Sequence, residues 1–193
     1  MKLYMIRHGQ STANAQQLHA GWAQVPLTDQ GMAQARLAGR LLTGIPFDRI
    51  YVSDLLRAQQ TQAVALPGAD SISTSLLREI NVGDLAGKTA GECLKIYGEQ
   101  YLADKAVHNF VPYGGEDDAM HLDRIRRFAV RLEQDALSNV AAFCHEGSIR
   151  CMLDLVMGQR HCRKDYPLGN GAVSIFEFAD GHWTLNAWNV TDA

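Results

Sequence analysis

Residues 3–9 of the chain read LYMIRHG, an apolar run that ends in an arginine, a histidine and a glycine. Four consecutive apolar or aromatic residues followed by a glycine are typical of a strand in the middle of a sheet. Such a strand delivers Arg7 and His8 together at its carboxyl end, where open α/β sheets bind ligands. A histidine beside a fixed cation suits chemistry on a phosphate. A strand-end arginine with a structural histidine is the alternative, because a three-residue match often occurs by chance.

Length and composition are ordinary for a globular protein. The chain has 193 residues, of which 47% are hydrophobic and 20% are charged, and its formal net charge is −3. A chain of this length buries a large core, so residues 1–193 are predicted to form one domain. There is no basic excess for nucleic acid, no apolar run of the roughly 18 to 20 residues that a membrane span needs, and no signal peptide. We expect a cytoplasmic protein without nucleic-acid or membrane partners; its oligomeric state stays open.

The cysteines give no sign of a metal site or of disulfides. Cys93, Cys144, Cys151 and Cys162 form no C-x-x-C pair, so the spacing of a zinc site is missing. Thiols in the cytosol are normally reduced, and Cys144 falls within an apolar run, as a small core residue does. The sequence therefore predicts no disulfide, no metal and no cofactor.

Strand and helix patterns alternate along the chain. Strands are predicted at residues 2–6, 50–52 and 140–144, with a further extended segment at 71–77. Helices are predicted from Thr28 to about 42, after a Ser53-Asp54 cap to about 64, and at about 92–102, 117–138 and 147–157. Asp180-Gly181 marks a hairpin between residues 172–178 and 183–188. The order predicts an α/β fold, a three-layer sandwich with a mostly parallel central sheet and helices on both faces.

Four features converge on one edge of this predicted sheet. Arg7 and His8 follow the first strand, His145 follows the strand at 140–144, Arg57 lies one turn into a helix, and Glu79 lies in a loop after an extended segment. Two guanidiniums and two imidazoles gathered there would repel one another unless an anion joined them. A phosphoryl group resolves that conflict, since arginine binds its oxygens in bidentate geometry. Taken singly, Arg57 also fits a solvated helix arginine, and His145 a buried core histidine.

The chain resembles the histidine phosphatase superfamily, also called the phosphoglycerate-mutase-like family. The matching motifs occur in the family's order from residue 3 to residue 147. They are residues 3–14, Pro26-Leu27-Thr28 with Gly31 and Gln34-Ala35, residues 53–61, Leu77-Arg78-Glu79, Gly114-Gly115-Glu116 and His145-Glu146-Gly147. Each motif is weak alone, and together they form a strong signal.

The resemblance implies a catalytic set. His8 would be the nucleophile that takes the phosphoryl group, with its other ring nitrogen bonded to an acceptor such as a backbone carbonyl. Arg7, Arg57 and His145 would hold the phosphoryl oxygens and neutralise charge in the transition state. Glu79 would protonate the leaving oxygen and later activate water. Other carboxylates, such as Glu116, Glu146 or Asp84, are alternatives for that acid.

The resemblance also implies a surrounding binding set. Asn14 would contact the phosphate or the substrate, and the Gln10-Ser11 loop would add to the pocket. Gly21 either lets the backbone approach the substrate or is a plain turn glycine. Glu146 would favour a protonated His145 or reach toward a polar substrate, unless it is a solvated loop residue.

These roles imply a metal-independent phosphomonoesterase that hydrolyses a small phosphorylated metabolite through a phosphohistidine. A phosphoglycerate mutase is the alternative enzyme, but mutases of the family carry a basic, tyrosine-containing segment where this chain has residues 80–83. A phosphate-binding or signalling module with weak catalysis is the alternative from another class.

The segment at about 80–115 is expected to be an insertion that covers the active site. Five of its residues either contact the substrate or serve as packing and solvated positions. They are Tyr97, Tyr101, Lys105, His108 and Tyr113.

Overall fold

A six-stranded sheet forms the centre of the computed structural model, which describes residues 1–159 and 165–192. The strands are β1 (Lys2–Arg7), β2 (Arg49–Ser53), β3 (Ile72–Thr74), β4 (Asn139–Cys144), β5 (Val173–Ala179) and β6 (His182–Val190). Their order is β3-β2-β4-β1-β5-β6. β3, β2, β4 and β1 run parallel, and the β5–β6 hairpin adds antiparallel strands beside β1. The predicted α/β class, the mostly parallel sheet and the carboxyl-terminal hairpin are confirmed.

The helices lie close to the predicted positions, with four differences. They are α1 (Thr12–Ala15), α2 (Asp29–Leu42), α3 (Leu56–Ala65), α4 (Ala90–Tyr97), α5 (Gln100–Ala106), α6 (Asp118–Glu133) and α7 (Glu146–Met157). The short α1 was not predicted, and α6 ends five residues before the predicted 138. The helix predicted at 92–102 is two helices, because Gly98 has a φ of 67° and breaks the hydrogen-bond ladder. Asp54 does not cap α3; its carboxylate binds Arg78 instead.

Separate apolar clusters cover the two faces of the sheet. On one face, Met5 of β1 packs with Phe128 of α6 and Met152 of α7. On the other, Ile6 packs with Ala38 of α2 and Ala58 of α3. Successive side chains of a strand point to opposite faces, so a strand buried on both sides needs an unbroken apolar run. The run at residues 3–6 is therefore explained, and the predicted layers are confirmed.

Residues 80–113 pack around a third, smaller cluster. Tyr101 and Tyr113 are buried in it, with Tyr97 against its edge. The Tyr113 hydroxyl donates to Oδ2 of Asp104 at 2.9 Å, and burial, with that bond, raises the pKa of Tyr113 to about 12. Of the two interpretations of these tyrosines, packing is the one that the structure supports.

The predicted absence of a disulfide can be compared with three of the four cysteines. Cys93, Cys144 and Cys151 are buried free thiols, whereas Cys162 lies outside the described residues. Among the described helices, none combines the length and apolar character that a membrane crossing requires.

Two glycines let helix α2 approach the loop that follows β1. A Cβ on Gly9 would fall on the backbone of Gly31, and a Cβ on Gly31 would fall on the backbone of Gln10. Backbone atoms cannot give way as a flexible side chain does. This close approach fixes the loop that carries His8.

We predict opposite effects for the same substitution in two helices. Gly31→Ala should lower the free energy of unfolding by about 1 to 3 kcal/mol, because its methyl group overpacks against backbone. Gly91→Ala, in α4, meets open space and should raise it by up to about 1 kcal/mol through helix propensity. Urea denaturation measures both. Equal shifts would show that the contact between α2 and the loop is not tight.

Candidate active site

The two predicted histidines meet at the carboxyl edge of the sheet. Arg7 and Cys144 are partners in the parallel pair β1–β4, and the His8 amide donates to the Cys144 carbonyl at 3.0 Å. The next residues, His8 and His145, are therefore neighbours, with ring centroids 5.1 Å apart. The prediction that both imidazoles lie at one edge is confirmed.

Arg57 enters the same place from the first turn of α3. Its side chain is 1% exposed, and its Nε lies 3.3 Å from Nε2 of His8. Its Nη1 donates to the carbonyl of Ala23 at 3.1 Å, and its Nη2 donates to that of Gly21 at 2.9 Å. Gly21 has a φ of 46°, and a Cβ there would meet Val82. Gly21 is thus a turn glycine whose carbonyl orients Arg57.

His8 is held in one neutral form. Its Nδ1 lies 2.7 Å from the carbonyl oxygen of Gly9, the kind of partner that the sequence predicted. Burial, together with the charges of Arg57 and Arg7, lowers the pKa of His8 to about 3. The neutral ring donates from Nδ1–H to Gly9, so Nε2 keeps its lone pair and accepts from Arg57.

His145 lies behind His8 and is fully buried. Its Nε2 is 2.8 Å from Oγ of Ser53, and that oxygen already accepts from the Leu55 amide at 3.4 Å. The Ser53 hydroxyl therefore donates to Nε2, which places the proton of the imidazole on Nδ1. Burial first, then the charge of Arg57, lowers the pKa of His145 well below 6.5. Within the described residues, Nδ1 of His145 is a buried donor without a hydrogen-bond partner.

Glu146 pairs with arginines. One carboxylate oxygen lies 3.1 Å from Nη2 of Arg7, and the other accepts from Nε of Arg150 at 2.9 Å. Arg7 also donates to the carbonyl of Leu168. The expectation that Glu146 favours a protonated His145 is wrong, because burial and positive charge keep that imidazole neutral.

Glu79 rests on backbone amides. Its Oε1 accepts from the amide of Ile80 at 2.9 Å, and its Oε2 accepts from that of Gly147, in the first turn of α7, at 3.2 Å. A Cβ on Gly147 would overlap the Glu79 carboxylate, so only glycine leaves room for it. The carboxylate lies in the wall of the same cavity as His8 and Arg57.

A buried ion pair, Arg124 with Glu116, fixes the segment that carries Glu79. Nε and Nη2 of Arg124 donate to the two Glu116 oxygens at 3.1 and 2.9 Å. Its Nη1 donates to the Arg78 carbonyl at 2.7 Å, and its Nη2 to the Glu79 carbonyl at 3.1 Å. Glu116 also accepts from the amide of Asn81 at 2.9 Å. The backbone on both sides of Glu79 is thus held by one guanidinium and one carboxylate.

These groups surround a cavity of about 430 Å³. Its wall includes most of the predicted site residues: Arg7, His8, Asn14, Gly21, Arg57, Glu79 and Glu146. Lys105 and His108 line it as well.

Gln10 and Ser11 do not line this cavity, although the sequence predicted that their loop would add to it. Oγ of Ser11 accepts from the Asn14 amide at 3.2 Å and caps α1, whereas Oε1 of Gln10 accepts from Thr28 at 2.8 Å. Both residues therefore support the loop and place Asn14.

Sequence reasoning missed several supporting residues. Ser53 was interpreted only as a helix cap, and Arg124 was not singled out. Asn170 donates to the carbonyl of His8 at 3.1 Å and reaches Oδ1 of Asn14 at 3.4 Å. Trp22 donates to the carbonyl of Glu79 at 2.8 Å. These contacts join distant parts of the chain, so no local spacing announces them; only the Asn170-Gly171 motif offered a signal.

The fold and the site together define an α/β protein with an anion-binding pocket at the carboxyl edge of its sheet. Two guanidiniums, an unpartnered imidazole donor and an imidazole lone pair converge there. This donor set suits a tetrahedral oxyanion.

Comparisons with known proteins agree with that class. The family model for the histidine phosphatase superfamily (branch 1) matches residues 3–191, so the chain belongs to this superfamily, and the resemblance seen in the sequence is confirmed. Phosphatases and mutases are both found among its relatives. A 2,3-bisphosphoglycerate-dependent phosphoglycerate mutase 2 of Gloeobacter violaceus is 34% identical over 160 residues, 78% of this chain and 73% of the relative.

Two further similarities extend over nearly the whole chain. An adenosylcobalamin/alpha-ribazole phosphatase of Salmonella typhimurium is 30% identical over 197 residues, 98% of this chain and 96% of the relative. The crystal structure of the alpha-ribazole phosphatase from Shigella flexneri has a TM-score of 0.89 at 27% identity, covering 98% of this chain and 96% of that one.

We predict that Glu116→Gln lowers the free energy of unfolding by about 3 to 5 kcal/mol at neutral pH, because it leaves the buried Arg124 without a counter-charge. Burial opposes ionisation of Glu116, but the hydrogen bonds from Arg124 and Asn81 outweigh it, and its pKa is lowered. A carboxyl with a lowered pKa stabilises the fold above its ordinary pKa, and this contribution is lost as pH falls through the lowered value. The difference between the two proteins should therefore shrink in acid.

Chemical denaturation at several pH values measures this difference. Glu99→Gln is the matched control, since Glu99 is exposed and makes no side-chain capping bond. A loss at Glu116 no greater than at Glu99 would contradict the role of the ion pair.

Proposed function

We propose that the protein is a phosphomonoesterase that hydrolyses a small phosphate ester through a phosphohistidine on His8. The observation that carries this proposal is the state of His8. Its Nδ1 proton is engaged by Gly9, its Nε2 lone pair lies beside Arg57, and Glu79 is in the wall of the same cavity. A neutral imidazole beside a fixed cation and a carboxyl is equipped for nucleophilic attack with acid catalysis.

In the first step, Nε2 of His8 attacks phosphorus and the bond from phosphorus to the ester oxygen breaks. Arg7, Arg57 and Asn14 bind the phosphoryl oxygens, and Nδ1–H of His145 supplies a further donor. Protonated Glu79 gives its proton to the leaving oxygen, so the product is a neutral alcohol. These fixed donors stabilise charge that spreads over the phosphoryl oxygens in the transition state.

In the second step, the Glu79 carboxylate takes a proton from a water molecule, whose oxygen attacks the phosphorus. The phosphorus–nitrogen bond breaks, its electrons return to His8, and inorganic phosphate leaves. Glu79 ends protonated and His8 neutral, as at the start. The low pKa of His8 supports this step, because a weakly basic imidazole is a good leaving group.

The position of Glu79 supports it over the other carboxylates as the acid. Glu116 is 8% exposed and bound to Arg124, and it does not line the cavity. Glu146 lines the cavity, but it bridges Arg7 and Arg150. Asp84 is exposed and does not line the cavity.

Arginines supply the positive charge in this proposal. Arg7 and Arg57 take the part that a divalent cation has in other phosphatases, so turnover should persist in a chelator. A mutase remains the second candidate because the Gloeobacter violaceus relative bears that description. Transfer of the phosphoryl group to a phosphoglycerate, rather than to water, would favour the mutase.

We predict that His8→Ala abolishes turnover, because the phosphoryl acceptor is gone. Arg7, Arg57 and His145 remain, so inorganic phosphate should still bind. Brief reaction of the unmodified protein with radiolabelled substrate should give an acid-labile phosphohistidine. His182→Ala, at an exposed position of the hairpin, is the control and should keep both properties. An active His8→Ala protein would remove the covalent intermediate from the mechanism.

We predict that Glu79→Gln harms poor leaving groups most. Hydrolysis of an alkyl phosphate should slow by about 10²- to 10⁴-fold, since an alkoxide needs the proton. Phosphorylation of His8 by nitrophenyl phosphate should change far less. Single-turnover kinetics with the two substrates measures the difference, and Asp84→Asn is the control that should affect neither. Equal losses with both substrates would mean that Glu79 is not the proton donor.

A further inference from the structure

A second cavity, of about 700 Å³, lies on the other side of Glu79. It is enclosed by α6, α7 and the segment at 80–115, and its wall includes Ala119, Leu122 and Leu155. Ile80 and His108 line this cavity and the phosphate cavity alike, so the two spaces meet at these side chains. A volume between about 300 and 1,000 Å³ is typical of sites for small molecules.

The second cavity is adjacent to the proposed proton donor. Gly147 lies in its wall, and the Gly147 amide donates to Oε2 of Glu79 at 3.2 Å. His121, also in the wall, closely approaches Gly147 from the other side. If Glu79 protonates the leaving oxygen, as the proposed function requires, the group attached to that oxygen must lie next to Glu79. The second cavity is a space of sufficient size at that place.

The wall of this cavity combines apolar surface with balanced charges. Ile80, Leu122 and Leu155 supply the apolar part. Arg126 and Arg150 are matched in number by Asp118 and Asp154.

The positive groups in the wall are already paired. Arg150 is bound to Glu146 at 2.9 Å, and His108 lies 3.0 Å from Asp118. Arg126 is half-exposed and lies 4.0 Å from Asp123. A second phosphate or a carboxylate would therefore bring a charge for which no buried cation is reserved. The wall suits an uncharged group that is partly apolar and partly hydrogen-bonding.

We propose that this cavity holds the alcohol part of the ester, and that this part is an uncharged, nucleoside-type group, a sugar carrying a flat ring. The inference rests on the proposed function, since it identifies the substrate class of the same site. The phosphoryl group occupies the cavity of His8 and Arg57, and the chain of the ester passes Glu79 between Ile80 and His108.

The first test fills the second cavity from an exposed position. Ala119→Trp places an indole in the cavity, whereas Ala103→Trp, on an exposed face of α5 outside both cavities, is the matched control. The substrates are nucleoside 5′-monophosphates and glycerol 3-phosphate, which all have a primary alcohol as leaving group.

We expect the unmodified protein to hydrolyse the best nucleotide with a kcat/KM at least tenfold above that for glycerol 3-phosphate. Ala119→Trp should lower the nucleotide value about tenfold or more and change the glycerol phosphate value less than twofold. Ala103→Trp should change neither. Equal losses for the two substrates with Ala119→Trp, or a preference of the unmodified protein for glycerol 3-phosphate, would overturn the inference.

The second test is independent of catalysis. Purine and pyrimidine nucleosides, which carry no phosphate, are titrated calorimetrically into the unmodified protein, His8→Ala and Ala119→Trp. At least one nucleoside should bind the first two equally and Ala119→Trp at least tenfold more weakly. Binding without any turnover of phosphate esters would overturn the proposed function alone. Turnover without any nucleoside binding would overturn this inference alone, and the lack of both would overturn the two together.

Discussion

The contact between a buried guanidinium and a buried imidazole is the constraint on which the site depends. Arg57 lies within 3.3 Å of His8 in a place that water hardly reaches. A protonated imidazole there would face both desolvation and a like charge, so His8 stays neutral and keeps its lone pair on Nε2. The same charge acts on His145, which also stays neutral and offers an unpartnered Nδ1–H within the described residues. One fixed cation thus prepares a nucleophile and a donor, and it leaves a positive pocket that an anion completes.

The carboxylates near this pocket are divided between support and chemistry. Glu146 joins Arg7 to Arg150, and Glu116 joins Arg124 to the amide of Asn81. Each of these pairs holds a guanidinium where its hydrogen bonds to backbone carbonyls set the course of a loop. Glu79 differs, because the amides of Ile80 and Gly147 hold its carboxylate while Arg124 holds its backbone. The acid is therefore placed accurately without an arginine being drawn onto its oxygens in the contacts described above, which leaves those oxygens beside the cavity.

Local pattern was sufficient to predict the sheet and the histidines, but not the supporting contacts. The unbroken apolar runs before His8 and His145 marked buried parallel strands, and parallel strands bring their carboxyl ends together whatever lies between them. Asp180-Gly181 marked the hairpin for an equally local reason. The helix break at Gly98 was missed because glycine also occurs within helices, and only its φ of 67° ends the ladder. Arg124 looked like any charged residue of an amphipathic helix; its partners are 8 to 49 residues away, and the folded chain alone brings them together.

The division of the molecule explains how one site can act on different esters. The phosphate end is built by β1, β4 and α3, whose positions are fixed by the sheet and by the packing of α2 on the loop after β1. The leaving-group end is bounded by the segment at 80–115, which has its own small core and can change without disturbing the sheet. Relatives described as a mutase and as an alpha-ribazole phosphatase share this fold at 30 to 34% identity. Since Glu79 stands between the two ends and is anchored to the core by Arg124, the acid keeps its place relative to His8 whichever alcohol the outer segment admits.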